Sequence, residues 1–172
     1  MRAVFVGAFS LILCACASQN SDVLTSPKQW QKYGLSVDMT AQNRRDLFVG
    51  RWYDRQNARD GSKTMTLMDI RRDGTYSELW KVYEKGGETR VAEEKGRWGV
   101  SGNIFFTITT GRAEGNKAMS EVDQSDAYYY DAYFIDYANE RENSIRHVLT
   151  GDEFISRRVA GDFSFPEISL EK

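Results

Sequence analysis

Cysteine is almost missing from this chain: Cys14 and Cys16 are its only two, and both fall within the first sixteen residues. Whatever domain follows has no disulfide framework and no CxxC pair for metal or redox work. Histidine is scarcer still, with His147 alone, so a zinc site would have to rest mostly on carboxylates, a poor ligand set for that ion. No GxSxG turn is present to carry a serine nucleophile. The stretch Gly111-Arg112-Ala113-Glu114-Gly115 lacks the lysine–serine ending of a phosphate-binding loop. Only two prolines occur, and charge of either sign is nearly balanced, with 23 basic residues against 25 acidic ones. A mildly acidic chain leaves no electrostatic footprint for nucleic acid. Long apolar runs are missing too. The one sustained stretch, Ala3 to Leu13, is about half of the ~20 residues that cross a bilayer core.

That short stretch has its own meaning. Arg2 precedes it, and small residues follow it, which is the layout of a secretory signal peptide. A buried soluble helix would need a polar face, and the segment has none. The run Leu13-Cys14-Ala15-Cys16 resembles the lipobox of bacterial lipoproteins. Cys16 fits it better than Cys14, because Ala15 before it is small where Leu13 is bulky. The resemblance implies a signal peptide over residues 1–15, cleavage before Cys16, a diacylglycerol thioether on the Cys16 sulfur and an acyl group on the new amine. Three acyl chains exceed the two signals that stable anchoring requires. Ala17 follows the lipidated position where an inner-membrane retention signal of the enteric type would have Asp. By that resemblance the destination is the outer membrane, lipid-anchored on its periplasmic face. Without Arg2 the charge becomes 22 − 25 = −3.

The remaining chain, about 155 residues, suits one domain. Residues 16–34 comprise the lipidated terminus and the linker ASQNSDVLTSPKQWQKYG, polar and without period, with Trp30 and Tyr33 able to dock on the domain. Residues 35–172 form the body. It opens with LSVDMTAQNRRDLF, which predicts a short helix capped by Ser36 or Asp38, with Met39, Leu47 and Phe48 on its apolar side.

Beyond Phe48 the chain becomes a series of short runs rich in Tyr, Phe, Ile, Val and Thr, broken by turn signals. Strands are expected over residues 49–55, 63–71, 75–84, 88–100 with a bulge at Gly96, 104–110, 127–137, 143–150 and 153–159. Asp73-Gly74 between two runs is a strong hairpin signal. Residues 111–126 form a longer loop, a candidate lid, and residues 160–172 an irregular tail. Consecutive strands joined by short turns make an antiparallel meander, and eight of them can close and so remove the exposed edges. The expected class is all-β, an eight-stranded antiparallel up-and-down barrel with a short N-terminal helix.

One motif connects this pattern to a family. Gly50-Arg51-Trp52-Tyr53 opens the first strand, and Gly96-Arg97-Trp98-Gly99 lies in mid-domain, followed by Gly102-Asn103. The first resembles the GxW element of lipocalins and the wider group of lipocalin-like (calycin) barrels, and the second their mid-domain GxW-turn-GN segment. The resemblance implies that an arginine of the last strand, Arg157 or Arg158, packs over Trp52 in a cation–π contact; parity without register does not choose between them. A ligand wall built from Trp52, Trp98, Phe106 and some tyrosines is expected, with Ile104, Phe106 and Ile108 sharing a face.

No constellation of catalytic residues stands out. His147 shares a face with Ile145 and Leu149 and reads as a half-buried structural residue. Asp131 and Asp136, and likewise Glu93 and Glu94, point to opposite faces of their strands and make no acid–base couple. Glu121, Asp123 and Asp126 read as a solvated acidic loop, and their spacing is not that of an EF-hand. The expectation is a non-enzyme without metal or cofactor. Its partners would be a membrane, through the lipid, and a small apolar or amphipathic ligand; the alternative is a fully packed barrel that meets an envelope protein. Large side chains at every inward position would predict the packed barrel, and small ones a pocket.

Overall fold

A computed structural model describes residues 39–166 apart from residue 59. Cys16, the signal segment, the linker with Trp30 and Tyr33, and the caps Ser36 and Asp38 lie outside the described residues. The chain enters through helix α1 (Met39–Phe48). Strands β1 (Gly50–Asn57), β2 (Lys63–Ile70), β3 (Thr75–Tyr83), β4 (Thr89–Ser101) and β5 (Ile104–Glu114) follow, each antiparallel to the last. A two-residue strand β6 (Ser120–Glu121) and a 3-10 turn (Ala127–Tyr129) lead into β7 (Tyr130–Ala138), β8 (Glu142–His147) and β9 (Glu153–Val159).

β9 returns to pair with β1, while β5 pairs with both β4 and β7. Eight strands therefore close into an up-and-down antiparallel barrel without free edges, and β6 is an addition on the outer end of β5. Turn chemistry sets the hairpins. Between β2 and β3, Asp73 accepts from both the amide and the hydroxyl of Thr75, and Gly74 takes φ of 83°. The expected bulge falls where the register shifts beside Gly96, but the extra residue is Thr110, on the facing strand. A second shift between Ile135 and Tyr137 leaves Asp136 as the extra residue of β7.

The long loop is shorter than the sequence suggests, because β5 continues to Glu114 and β6 folds back on Gly111 and Arg112. The irregular tail has a use up to residue 166. Phe163 packs on Tyr53 with ring centroids 5.0 Å apart, and the Phe163 carbonyl accepts from Arg51. This covers part of an outer face that is itself apolar, with Leu67 opposite Tyr53.

Candidate functional site

Trp52 sets the inward parity of β1, and the register carries that parity around the barrel. Gly50, Trp52 and Asp54 face in; so do Thr66, Met68 and Ile70 on β2 and Tyr76, Glu78 and Trp80 on β3. On β4 the inward positions are Ala92, Glu94, Gly96, Trp98 and Val100, opposite Phe105, Thr107, Thr109 and Arg112 of β5. Asp131, Tyr133 and Ile135 of β7 follow, then Ile145 and His147 of β8 and Phe154 of β9. These side chains divide into a floor and an upper chamber.

The floor is the end carrying α1. Trp52 donates from its indole to the Phe48 carbonyl at 2.6 Å, closing the helix terminus onto the barrel. Arg158, directly opposite Trp52 on β9, lies with its guanidinium 4.3 Å from the indole ring. It also donates to the carbonyls of Leu47, Val49 and Glu140. One cation thus satisfies the last carbonyls of α1, where the helix dipole favours positive charge, and pins the β7–β8 turn. This settles the choice between the two arginines: Arg157 points outward and pairs with Glu142. Gly50 is required for the same reason. A β-carbon there would stand 2.0 Å from the Arg158 guanidinium, and its φ of 140° disfavours any other residue.

The second tryptophan repeats the arrangement with different partners. Trp98 donates to the Arg71 carbonyl at 2.8 Å, and Arg45 of α1 sits 4.5 Å from its ring. Gly96 lets β4 approach β5, since a β-carbon would meet the Ile108 carbonyl oxygen at 2.0 Å. Phe48 and Phe105 stack at 5.0 Å, and Trp98 lies 6.0 Å from Phe105. With Ile70, Tyr76 and Ile135 these form the single buried core cluster among the described residues.

Phe106 is a correction. It lies on the outer face, paired with Gly99, over which its ring packs. Phe105 faces inward instead, and only 2 % of it is exposed. The inner face of β5 continues as Thr107 and Thr109, so the outer face, with Ile104, Phe106 and Ile108, is the more apolar of the two. Assigning the apolar face to the interior therefore inverted the strand.

The upper chamber is chemically different. Asp54, Glu78, Glu94 and Asp131 all point into it. Glu94 is well satisfied. Tyr76 donates to Thr109 at 2.6 Å, Thr109 donates to Glu94 at 3.0 Å, and Arg112 closes the chain with an ion pair to the other oxygen of Glu94. Burial opposes the Arg112 charge, but hydrogen bonding to Glu114 and the negative Glu94 outweigh it and raise its pKa. Asp131 has His147, whose Nε2 stands 3.4 Å from its carboxylate; burial still raises its pKa, with His147 pulling the other way.

Asp54 and Glu78 have less help. Burial pushes Asp54 up to about 6, against the opposing hydrogen bond of the Ile155 amide. Glu78 is pushed up to about 7, again by burial, with the Trp80 indole lowering it and the charges of Glu94, Asp131 and Asp54 raising it further. No cation pairs with either among the described residues. Burial also raises the pKa of Tyr76 and of Tyr133, with the negative cluster adding to it. β2 and β9 contribute no titratable group at this level, only Thr66 and Ser156.

Asp54 also marks the point where the regular pairing of β1 with β9 ends. β1 and β9 pair only through Arg51, Trp52 and Tyr53, although β1 runs on to Asn57 and β9 begins at Glu153. Above Tyr53 the two strands meet through the hydrogen bond of the Ile155 amide to Asp54 and through one from Gln56 to the Glu153 carbonyl at 3.4 Å. Two open hollows, about 200 and 310 Å³, are present, one lined by Arg51, Asp69 and Glu78 and one around Lys117 and Val122; neither gathers the four carboxylates.

In the long loop, Asp123 accepts from Ser125 and Asp126 caps the 3-10 turn, so both carboxylates serve their own backbone. Asp136 and Glu93 point outward, as alternation requires, and Asp136 pairs with Arg146. The inward carboxylates went unnoticed in the sequence, yet a signal existed. Asp54 has the parity of Trp52 and Glu94 that of Trp98, so each tryptophan already points to an acid on its own face.

The closed eight-stranded barrel is compatible with a calycin-like fold. No protein-family model matches the chain, and no curated protein matches it.

Proposed function

We propose that this chain is an outer-membrane-anchored lipoprotein whose lipocalin-like barrel binds a small apolar or amphipathic ligand in the periplasm and catalyses nothing. The observation that supports this reading is the unequal filling of the barrel. Stacked rings plug the floor, whereas Thr66, Thr107, Ala92 and four carboxylates line the upper part. A barrel built only for stability gains nothing by sheltering Asp54 and Glu78, since taking a carboxylate out of water costs free energy unless it is paired. A ligand chamber explains the cost: a few placed polar groups orient a guest against apolar and aromatic walls, here Trp80, Tyr133 and Phe154. The lipid anchor rests on Leu13-Cys14-Ala15-Cys16.

The ring-filled floor supports a second reading, a packed barrel that contacts an envelope protein. Native mass spectrometry of the protein purified from its own envelope separates the two. A co-purifying small molecule supports ligand binding, and its repeated absence supports the packed barrel. Replacing Cys16 by serine is expected to release the protein from the membrane fraction. Retention with Cys14 processed in its place would show that the anchor was assigned to the wrong cysteine.

A further inference from the structure

On the outside of β1–β4, two rows of side chains run across the strands. Tyr53, Leu67, Leu79 and Glu93 are register partners in one row, and Arg51, Asp69, Ser77 and Lys95 in the next. Their parity is opposite to that of Trp52, so both rows face outward. An open hollow of about 200 Å³ lies between them, lined by members of both rows. The chain itself already covers the first member of each. Past the end of β9, the Phe163 carbonyl accepts from Arg51 at 3.1 Å and the Phe163 ring packs on Tyr53. Phe165 follows, 6.4 Å from the same Tyr53 ring.

A second observation marks the same place. Arg51 gives Nη1 to Asp69 and Nη2 to Phe163, but its Nε is shut off from water with no acceptor among the described residues. A buried donor without a partner costs free energy, so it points to an acceptor that belongs there. The chain beyond Pro166 reads Glu167-Ile168-Ser169-Leu170-Glu171-Lys172. Extended, such a segment turns Ile168 and Leu170 to one side. Six residues reach roughly 20 Å, and the outer face from β1 to β4 spans about 14 Å at ~4.8 Å per strand. The order of charge fits as well. Glu171 and Lys172 come last, where Lys95 and Glu93 end the two rows. Neither Lys95 nor Glu93 has an ion pair among the described residues.

We propose that residues 167–172 dock across this outer hollow, with Ile168 and Leu170 on Leu67 and Leu79 and a carbonyl at the start of the segment accepting from Arg51 Nε. Leu79 is only half-buried without the segment and gains most from the cover. Glu171 and Lys172 meet Lys95 and Glu93 at the far side. The tail is then a strap that seals this face of the barrel, and an envelope partner has to meet the protein elsewhere.

The test needs no ligand and uses the full chain in a neutral detergent. With isoleucine and leucine methyl groups labelled, nuclear Overhauser contacts are expected from Ile168 and Leu170 to Leu67 and Leu79. This measurement is made on the unaltered protein, so it does not depend on any variant folding. A double-mutant cycle gives the energetic counterpart. Leu79→Ala and Leu170→Ala, alone and together, should be non-additive by about threefold or more in the unfolding equilibrium constant, as touching side chains are. Leu170→Ala paired with alanine at Val148, exposed after β8, should be additive. Absence of the methyl contacts, or additivity of Leu79→Ala with Leu170→Ala, would overturn the proposal. Contacts seen only between differently labelled chains in a mixed sample would also overturn it, because the strap would then belong to a second copy.

Discussion

The two ends of this barrel use the same strands for opposite purposes. At the floor, each polar atom of Trp52, Trp98 and Arg158 has a partner, and the rings between them stack. In the upper chamber, two carboxylates are sheltered with no cation to pair them among the described residues. Strand register makes the two ends inseparable, since Trp52 and Asp54 are neighbours on one face of one strand. The difference shows where stability is concentrated and where it has been given up. Residues two positions apart should therefore respond in opposite directions to mutation.

The largest effects belong to the floor. Trp52→Ala removes a ring that is 2 % exposed and is expected to cost about 3–5 kcal/mol in denaturant unfolding. Arg158→Ala should approach that loss, because it strands three carbonyls and uncovers the Trp52 ring; lysine, a single point charge, should rescue little of it. Gly50→Ala comes next. It forces the guanidinium aside at a backbone angle hostile to alanine, at roughly 1–3 kcal/mol, the usual range for overpacking.

The chamber should behave in the reverse sense. The folded-state pKa values of Asp54 and Glu78 are raised above their ordinary values. The folded state therefore holds protons that the unfolded chain has released, and stability falls as pH rises from about 4 towards 7. Glu78→Gln should flatten that slope and stabilise the protein at pH 8 by roughly 1–3 kcal/mol. A loss of stability at pH 8 in this variant would mean that Glu78 has a partner and the two ends are alike. The smallest effect is expected at Arg157, whose ion pair with Glu142 is largely solvated: alanine there should change stability by about 0.5 kcal/mol or less. The contrast between adjacent Arg157 and Arg158 checks the register directly.

Much of the fold was legible in the sequence because turn chemistry is local. Asp73-Gly74, Gly86-Gly87 and Gly102-Asn103 divide the chain into strands that pair in order. The GxW glycine and its arginine were legible as a pair, though only register separates Arg158 from Arg157. Phe106 was misplaced for a physical reason: hydrophobic alternation marks the buried face only when the interior is apolar, and on β5 the inward positions after Phe105 are Thr107 and Thr109. The outer face of β5 is correspondingly greasy, and Tyr53 is covered by Phe163, a contact across more than a hundred residues that no local pattern announces. Arg45 over Trp98 escaped notice for the same reason, since it depends on how α1 lies across the barrel end. The acidic chamber itself follows from parity counted outward from Trp52 and Trp98, a step that requires trusting the tryptophans before the aliphatic residues.

The most direct test of the divided barrel is a carbon-13 titration of the side-chain carboxyls in the unliganded protein. The account predicts that Asp54 titrates at about 6 and Glu78 at about 7, well apart from the solvated acids. Midpoints near 4 for both would place these groups in water, and the sheltered, uncompensated chamber would not exist.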